Sequence, residues 1–248
     1  LSIRRQRQMC IRDRIKTAQI PYQVPAPEDL RVRIDGVLAV LYLVFNEGYF
    51  ASGSEMPALR SELTTEAIRL TRLVRELLPD DAEVAGILAL MLLSEARSPA
   101  RITAKGELVR LDEQDRGLWN RELIDEGLSL LDRLRGAVPG RYTLLAQINA
   151  VHAAAVDAEL TDWQRIVELY EQLERVDPSP VVTLGKAVAI AERDSPQQAL
   201  VIVESLRDAL ADFHGLQVTR AELLRAAGRP AAVSYTHLEP TRLGMISY

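Results

Sequence analysis

Apolar residues recur at helical spacing through almost the whole body of this chain. Ile34, Val37, Leu38, Leu41 and Phe45 share one stripe, which predicts a helix over Leu30 to Tyr49, with Glu28 where an acidic residue favours a helix start. Gly53 and Pro57 close that region. Ser61 to Leu78 is amphipathic, with Leu63, Ala67, Leu70, Val74 and Leu77 on one face and Arg69, Arg72, Arg75 and Glu76 off it. Pro79-Asp80-Asp81 reads as a turn and cap. Glu83 to Arg97 follows, and it is apolar almost all round from Ile87 to Leu93, the mark of a central buried helix.

The pattern then breaks. Ile102, Leu108 and Val109 flank Lys105-Gly106, which predicts a small hairpin or irregular insertion near 101–118. Asp112 to Trp119 is a polar loop or single turn. Helices return over Arg121 to Arg135 and over the alanine-rich Tyr142 to Ala158. Asp162 caps Trp163 to Val176; Pro178 and Pro180 bracket the turn into Val181 to Arg193. Ser195-Pro196 opens Gln197 to Leu210, and Gly228 closes Leu216 to Ala227.

A shift of 34 residues, the distance from Asp162 to Pro196, aligns Ile166 with Leu200, Leu169 with Val203, Val182 with Leu216 and Ala187 with Ala221. That period is the tetratricopeptide one. One helix pair cannot bury its own face, so it must stack on the helices before it. The expected fold is all-α: a right-handed stack of helix pairs, a tetratricopeptide-like α-solenoid. The expected organisation is a linker at 15–27, where Pro21, Pro25 and Pro27 oppose helix, an N-terminal helical subdomain at 28–136, and tetratricopeptide-like repeats at 137–232.

Composition narrows the function classes. Hydrophobic residues make up 48% and aromatic residues only 5%, so the cores are aliphatic, as in packed helices. A net charge of -5 gives no general pull toward nucleic acid or anionic membrane. The apolar run Val37 to Phe45 falls far short of the roughly 20 residues of a membrane span, and a cytoplasmic protein without membrane contact is expected. The single cysteine, Cys10, excludes an intrachain disulfide and a thiolate metal cluster.

The two ends look foreign. Arg5 to Arg14, RQRQMCIRDR, and Val233 to Thr241, VSYTHLEPT, resemble translated sequencing-adapter DNA. Segments 1–14 and 233–248 are therefore expected to be non-native and unpacked. The alternative is a basic N-terminal arm and a disordered tail.

Chemical motifs are scarce. Gly185-Lys186 lacks the upstream glycine of a phosphate loop, and no zinc-protease, nucleophile-elbow or dinucleotide pattern is present. No catalytic residue, cofactor or metal is expected. Asp112, Glu113 and Asp115 lack the spacing and mid-loop glycine of a calcium loop and read as solvated caps. His152 lies in the alanine-rich helix and reads as a core or groove histidine.

The stretch LYLVFNEGYFASGSE, Leu41 to Glu55, is the most informative one. Polar residues at the end of an apolar run need partners. Glu47 is expected to cap a helix or to pair with Arg97 or Arg101, fixing helix register. The competing reading is a polar pocket floored by Asn46, Glu47 and Tyr49, joined in an enzyme or sensor by Trp119 and His152.

From about Ile20 to Ala232 the chain resembles the C-terminal extension of extracytoplasmic-function sigma factors of the sigma-70 superfamily, a helical, tetratricopeptide-like domain. The resemblance rests on IPYQVP at Ile20 to Pro25, AVLYLVFNEGYFAS at Ala39 to Ser52, and EAIRLTRLVRELLPDDAEVAGILALMLLSEAR at Glu66 to Arg97. LDEQDRGLWN at Leu111 to Asn120, with Asp115, Arg116 and Trp119, and DPSPVV at Asp177 to Val182 add to it. The chain departs at Gly185-Lys186, where the family usually has Asn-Arg. The resemblance implies a role in transcription initiation. In such proteins upstream domains, expected to be missing here, bind core RNA polymerase and promoter DNA. The helical groove would then meet sigma domains or a signalling protein. A freestanding helical-repeat scaffold that binds a peptide is the alternative.

Overall fold

Asp81 starts the helix around which the others gather. Its carboxylate accepts from the backbone N–H of Glu83 at 2.9 Å and of Val84 at 3.0 Å, satisfying two donors of the first turn. The helix so begun, Ala82–Glu95, buries every residue from Val84 to Ser94. A helix that is apolar all round has no face for water, so other helices must surround it.

The computed structural model describes residues 27–49, 57–103 and 109–228, and there the chain is all-α. In chain order the helices are α1 (Pro27–Tyr49), α2 (Pro57–Leu77), α3 (Ala82–Glu95), α4 (Ser98–Arg101), α5 (Arg121–Arg133), α6 (Arg141–Ala154), α7 (Trp163–Val176), α8 (Pro180–Arg193), α9 (Pro196–Ser205) and α10 (His214–Ala226). Two 3-10 turns, Leu111–Glu113 and Arg116–Leu118, lie between α4 and α5. From Leu38 onward the chain forms one compact unit. Residues up to Val37 form a second unit, in whose described part Arg31 pairs with Asp35 one helical turn on, at 3.7 Å. The expected non-native segments 1–14 and 233–248, and most of the linker, lie outside the described residues.

α3 packs on α2, α5 and α6. The α3–α6 packing is the most extensive, and Gly86 permits a close approach there. A Cβ built on Gly86 would lie 2.5 Å from Thr143 Oγ1 and 2.7 Å from Thr143 N, so any side chain would push α6 away. The same crossing supplies a cap. α6 begins after Gly140, which has no side chain to cap with. Glu83 of α3 does it instead: Oε2 accepts from Tyr142 N at 2.8 Å, and Oε1 from Thr143 N at 3.2 Å and Thr143 Oγ1 at 2.6 Å.

The second half advances neighbour by neighbour. α6 packs on α7, α7 on α8, α8 on α9 and α9 on α10, which also returns to α8. Leu184, Ala187, Ala199, Val203, Leu216 and Leu223 form the core of the last three helices. The caps are local. Asp162 accepts from Arg165 N at 2.9 Å, and Ser195 accepts from Gln198 N at 3.3 Å. Gly228, at φ +72, ends α10 in the left-handed region that favours glycine. Lys186 pairs with Glu174 of α7. Glu174 also accepts from Thr183 Oγ1 at 2.8 Å.

Several boundaries differ from expectation. α9 stops at Ser205 rather than Leu210, although Leu206 and Leu210 are buried. Turn residues carry the apolar pattern past the helix end, so periodicity alone reads too far. α6 stops at Ala154 rather than Ala158, for a reason that belongs to the site below. At the expected hairpin, Val109 N–H donates to the Arg101 carbonyl at 2.8 Å; Lys105-Gly106 lies outside the described residues.

Candidate functional site

Three arginines gather where α1 and α3 end. On α1, Phe45 and Tyr49 lie one turn apart and stack at 5.4 Å, which turns Tyr49 into the interior. Arg97 follows the α3 C-cap, Ala96, and Arg101 closes the short α4. Arg116 opens the second 3-10 turn, which Asp115 caps by accepting from Gly117 N at 2.8 Å. Asn120 N–H donates to the Ala96 carbonyl at 2.9 Å, and this holds the Trp119 segment against the end of α3.

Tyr49 is the shared partner of two guanidiniums. Arg97 Nη2 donates to its hydroxyl at 3.2 Å. Arg101 Nη1 donates to its carbonyl at 2.6 Å, and the Arg101 guanidinium lies 3.7 Å from the ring centroid. That carbonyl is at the C-terminus of α1, the end whose dipole favours a cation. Arg116 plays the same part for α6. Its Nη1 donates to the carbonyls of His152 and Ala155 at 2.6 and 2.8 Å, and its guanidinium sits 4.6 Å from the Trp119 ring centroid. A side chain from a distant turn thus takes up the freed carbonyls, and α6 ends four residues before its alanine pattern does.

Burial and mutual repulsion shape the electrostatics. His152 is buried and edge-on to Trp163 at 5.3 Å. Its pKa is lowered to about 3, first by burial and then by the charges of Arg97 and Arg116, so the imidazole is neutral at physiological pH. The pKa of Arg101 is lowered by burial, with Tyr49 opposing, Arg97 adding to the shift and Glu95 opposing it. That of Arg116 is lowered by burial, with Asp157 opposing and Arg97 and Arg121 adding. Burial pushes the Glu95 carboxyl up against the hydroxyls of Thr64 and Ser98 and the charge of Arg101. Among the described residues, Arg97 Nε and Trp119 Nε1 at this centre are buried donors without a hydrogen-bond partner, and Glu95 Oε2 is a buried acceptor without one. Arg97 is 4% exposed and Trp119 3%.

The expected pairing of Glu47 with Arg97 or Arg101 is not made. Both arginines face Tyr49, and Glu47 is exposed. The helical period explains this. Phe45 and Tyr49 define the inward face, and a residue midway between them points to the opposite side. Asn46 is half-buried beside them. Of the residues expected to form a pocket, Glu47 is exposed and Asn46 half-buried, while Tyr49, Trp119 and His152 lie with Arg97, Arg101 and Arg116 in one cluster. Asp115 is an exposed cap, and Asp112 meets Arg110 at 3.1 Å. Among the described residues no group of His, Cys, Asp or Glu is placed to hold a metal ion, and no helix is long and apolar enough to cross a membrane.

Sequence reasoning missed the convergence, not the residues. One signal was available: Arg97 and Arg101 stand four apart directly after the most buried helix, where a basic residue is costly. The resulting centre offers donors and positive charge. It is suited to holding an anion or a helix end, and a histidine with a pKa near 3 is there a neutral and weak proton acceptor at physiological pH.

Residues 33–135 match DUF6596, a family of unknown function. The matched span contains Tyr49, Arg97, Arg101, Arg116 and Trp119. No solved structure matches the chain. An uncharacterized protein of Rhizobium meliloti (strain 1021) is 44% identical over 218 residues, 87% of this chain and 51% of the relative, so the chain spans about half the length of the curated relative it matches.

Proposed function

We propose that this chain is the C-terminal accessory domain of an extracytoplasmic-function sigma factor, acting on transcription initiation by protein–protein contact. One observation carries the reading. The segments that resemble that family lie far apart in sequence yet meet at one centre: Tyr49 from LYLVFNEGY, Arg97 from the long α2–α3 segment, and Arg116 and Trp119 from LDEQDRGLWN. Segments that build one buried centre form a signature harder to match by chance than any single motif. The match covers 51% of the curated relative, which leaves room for further domains in such proteins. The net charge of -5 supports a division of labour, in which promoter DNA and core polymerase are bound elsewhere in the protein.

In this role the domain works in the cytoplasm. α6 to α10 form a tetratricopeptide-like stack whose groove meets the sigma domains or a signalling protein. The deciding experiment is promoter-dependent transcription by the full-length sigma factor with and without residues 28–232. A changed output is expected on deletion; unchanged output removes the proposal. Neighbour-by-neighbour packing from α6 to α10 favours a second reading, a freestanding peptide-binding scaffold. An in-frame sigma region upstream in the gene excludes it.

A further inference from the structure

Arg97 stands at the centre of the arginine cluster in a state that a closed structural site would not leave. It is 4% exposed, and the one hydrogen bond its guanidinium makes among the described residues is to the Tyr49 hydroxyl at 3.2 Å. Among the described residues no carboxylate pairs with it. Its Nε is buried without an acceptor. A buried guanidinium normally has a carboxylate, a phosphate or several carbonyls around it, because an uncompensated buried charge is among the costliest features a fold can carry. The surroundings raise that cost. Arg97 acts on Arg101, Arg116 and His152 through its charge, while the Glu95 carboxyl acts on Arg101.

The neighbours are tied down while Arg97 is not. Arg116 is committed to the carbonyls that end α6, and Arg101 to the carbonyl that ends α1. Trp119, whose neighbour Asn120 is bonded to Ala96, the residue before Arg97, presents a second buried donor, Nε1, without an acceptor among the described residues. Two orphaned donors, one charged, in a field of fixed positive charge call for an acceptor-only group. An oxyanion is such a group, and the guanidinium fork matches its geometry.

We propose that Arg97, with the Trp119 indole N–H, forms a binding site for a small oxyanion, a carboxylate or a phosphate carried by a low-molecular-weight ligand. The fixed charges of Arg101 and Arg116 add to its attraction. Bound there, the anion would bridge the ends of α1 and α3 and the 3-10 turn, and would rigidify the centre on which the rest of the unit is built. The site would take its anion whether or not the domain serves transcription.

The test uses the full chain at constant ionic strength. Inorganic phosphate, acetate and chloride are titrated in parallel, with thermal unfolding and calorimetry as readouts. Saturable stabilisation by phosphate or acetate beyond that of chloride is expected, and the better of the two names the oxyanion. Arg97→Gln should weaken binding by about tenfold or more, the worth of a charge-assisted hydrogen bond. Trp119→Phe, which keeps an aromatic ring and loses the donor, should weaken it by about threefold to tenfold. Arg207→Gln, an exposed site away from the cluster, should leave it unchanged. Where Arg97→Gln does not fold, Arg97→Lys and Trp119→Phe carry the comparison. The proposal is overturned if phosphate and acetate act only as chloride does. It is equally overturned if the folded variants bind as tightly as the parent, or if an acidic peptide binds where neither small anion does.

Discussion

His152 makes the stability of this protein depend on pH in a way that can be calculated. The imidazole is buried, and with Arg97 and Arg116 nearby its pKa falls to about 3, against an ordinary 6.5 in the unfolded chain. Between these values the unfolded state takes up a proton and the folded state does not. The contribution is therefore fully present above pH 6.5 and is lost as the pH falls toward 3. At pH 5 the unfolded form is favoured by the gap between 5 and 6.5, about 2 kcal/mol at 1.36 kcal/mol per pH unit. Glu95 and Glu192 act in the opposite sense: burial raises each carboxyl, so its proton is taken sooner when folded, and stability is gained as the pH falls. The measurement is therefore a difference. Urea unfolding of the parent and of His152→Gln is compared at pH 7 and pH 5. Any fixed packing cost of the substitution cancels between the two pH values. The parent should lose about 2 kcal/mol more than the variant. Parallel losses would refute the reasoning and mean that His152 titrates normally in the folded protein.

Three substitutions test the packing and the site. Gly86→Ala gains helix propensity of up to about 1 kcal/mol but drives a Cβ to 2.5 Å from Thr143 Oγ1. A net loss of about 1–3 kcal/mol in chemical denaturation is expected, and a stabilised variant contradicts the close approach. Glu83→Ala removes the acceptor of three donors at the start of α6 and should cost about 1–3 kcal/mol, with hydrogen exchange at Tyr142 and Thr143 accelerated first. Glu47→Ala, on the exposed side of α1, should change stability by less than about 0.5 kcal/mol; a loss above 1 kcal/mol would restore a structural ion pair for Glu47.

What the sequence made legible follows the range of the interactions. α3 was readable because an all-round apolar pattern has one structural meaning, and Asp81, Asp162 and Ser195 because a capping side chain finds its partner two or three residues on. The ends of α6 and α9 were overextended. The first is stopped by Arg116, 36 and 39 residues away in sequence, and the second continues its apolar pattern into a turn. The site residues were named without their geometry. Tyr49 meets Arg97 and Arg101 across 48 and 52 residues, and nothing local in LYLVFNEGY tells which polar residue at the helix end turns inward. Glu47 looked the natural partner for arginine because charge is visible in a sequence, whereas the facing of a helix end depends on where the helix packs.

The capping of α6 by Glu83 bears on how the protein can be cut. The sequence suggests a seam between 136 and 137, with repeats on one side and a helical subdomain on the other. Yet the first turn of α6 receives its acceptor from 59 and 60 residues upstream, and α6 lies on α3 across that seam. A fragment that starts at 137 would carry a frayed leading helix and an uncovered apolar face. Recombination or truncation at this point would therefore not exchange self-sufficient modules. The terminal repeats inherit their order from the buried helix before them, and deletion variants should keep α3 and α6 on the same chain.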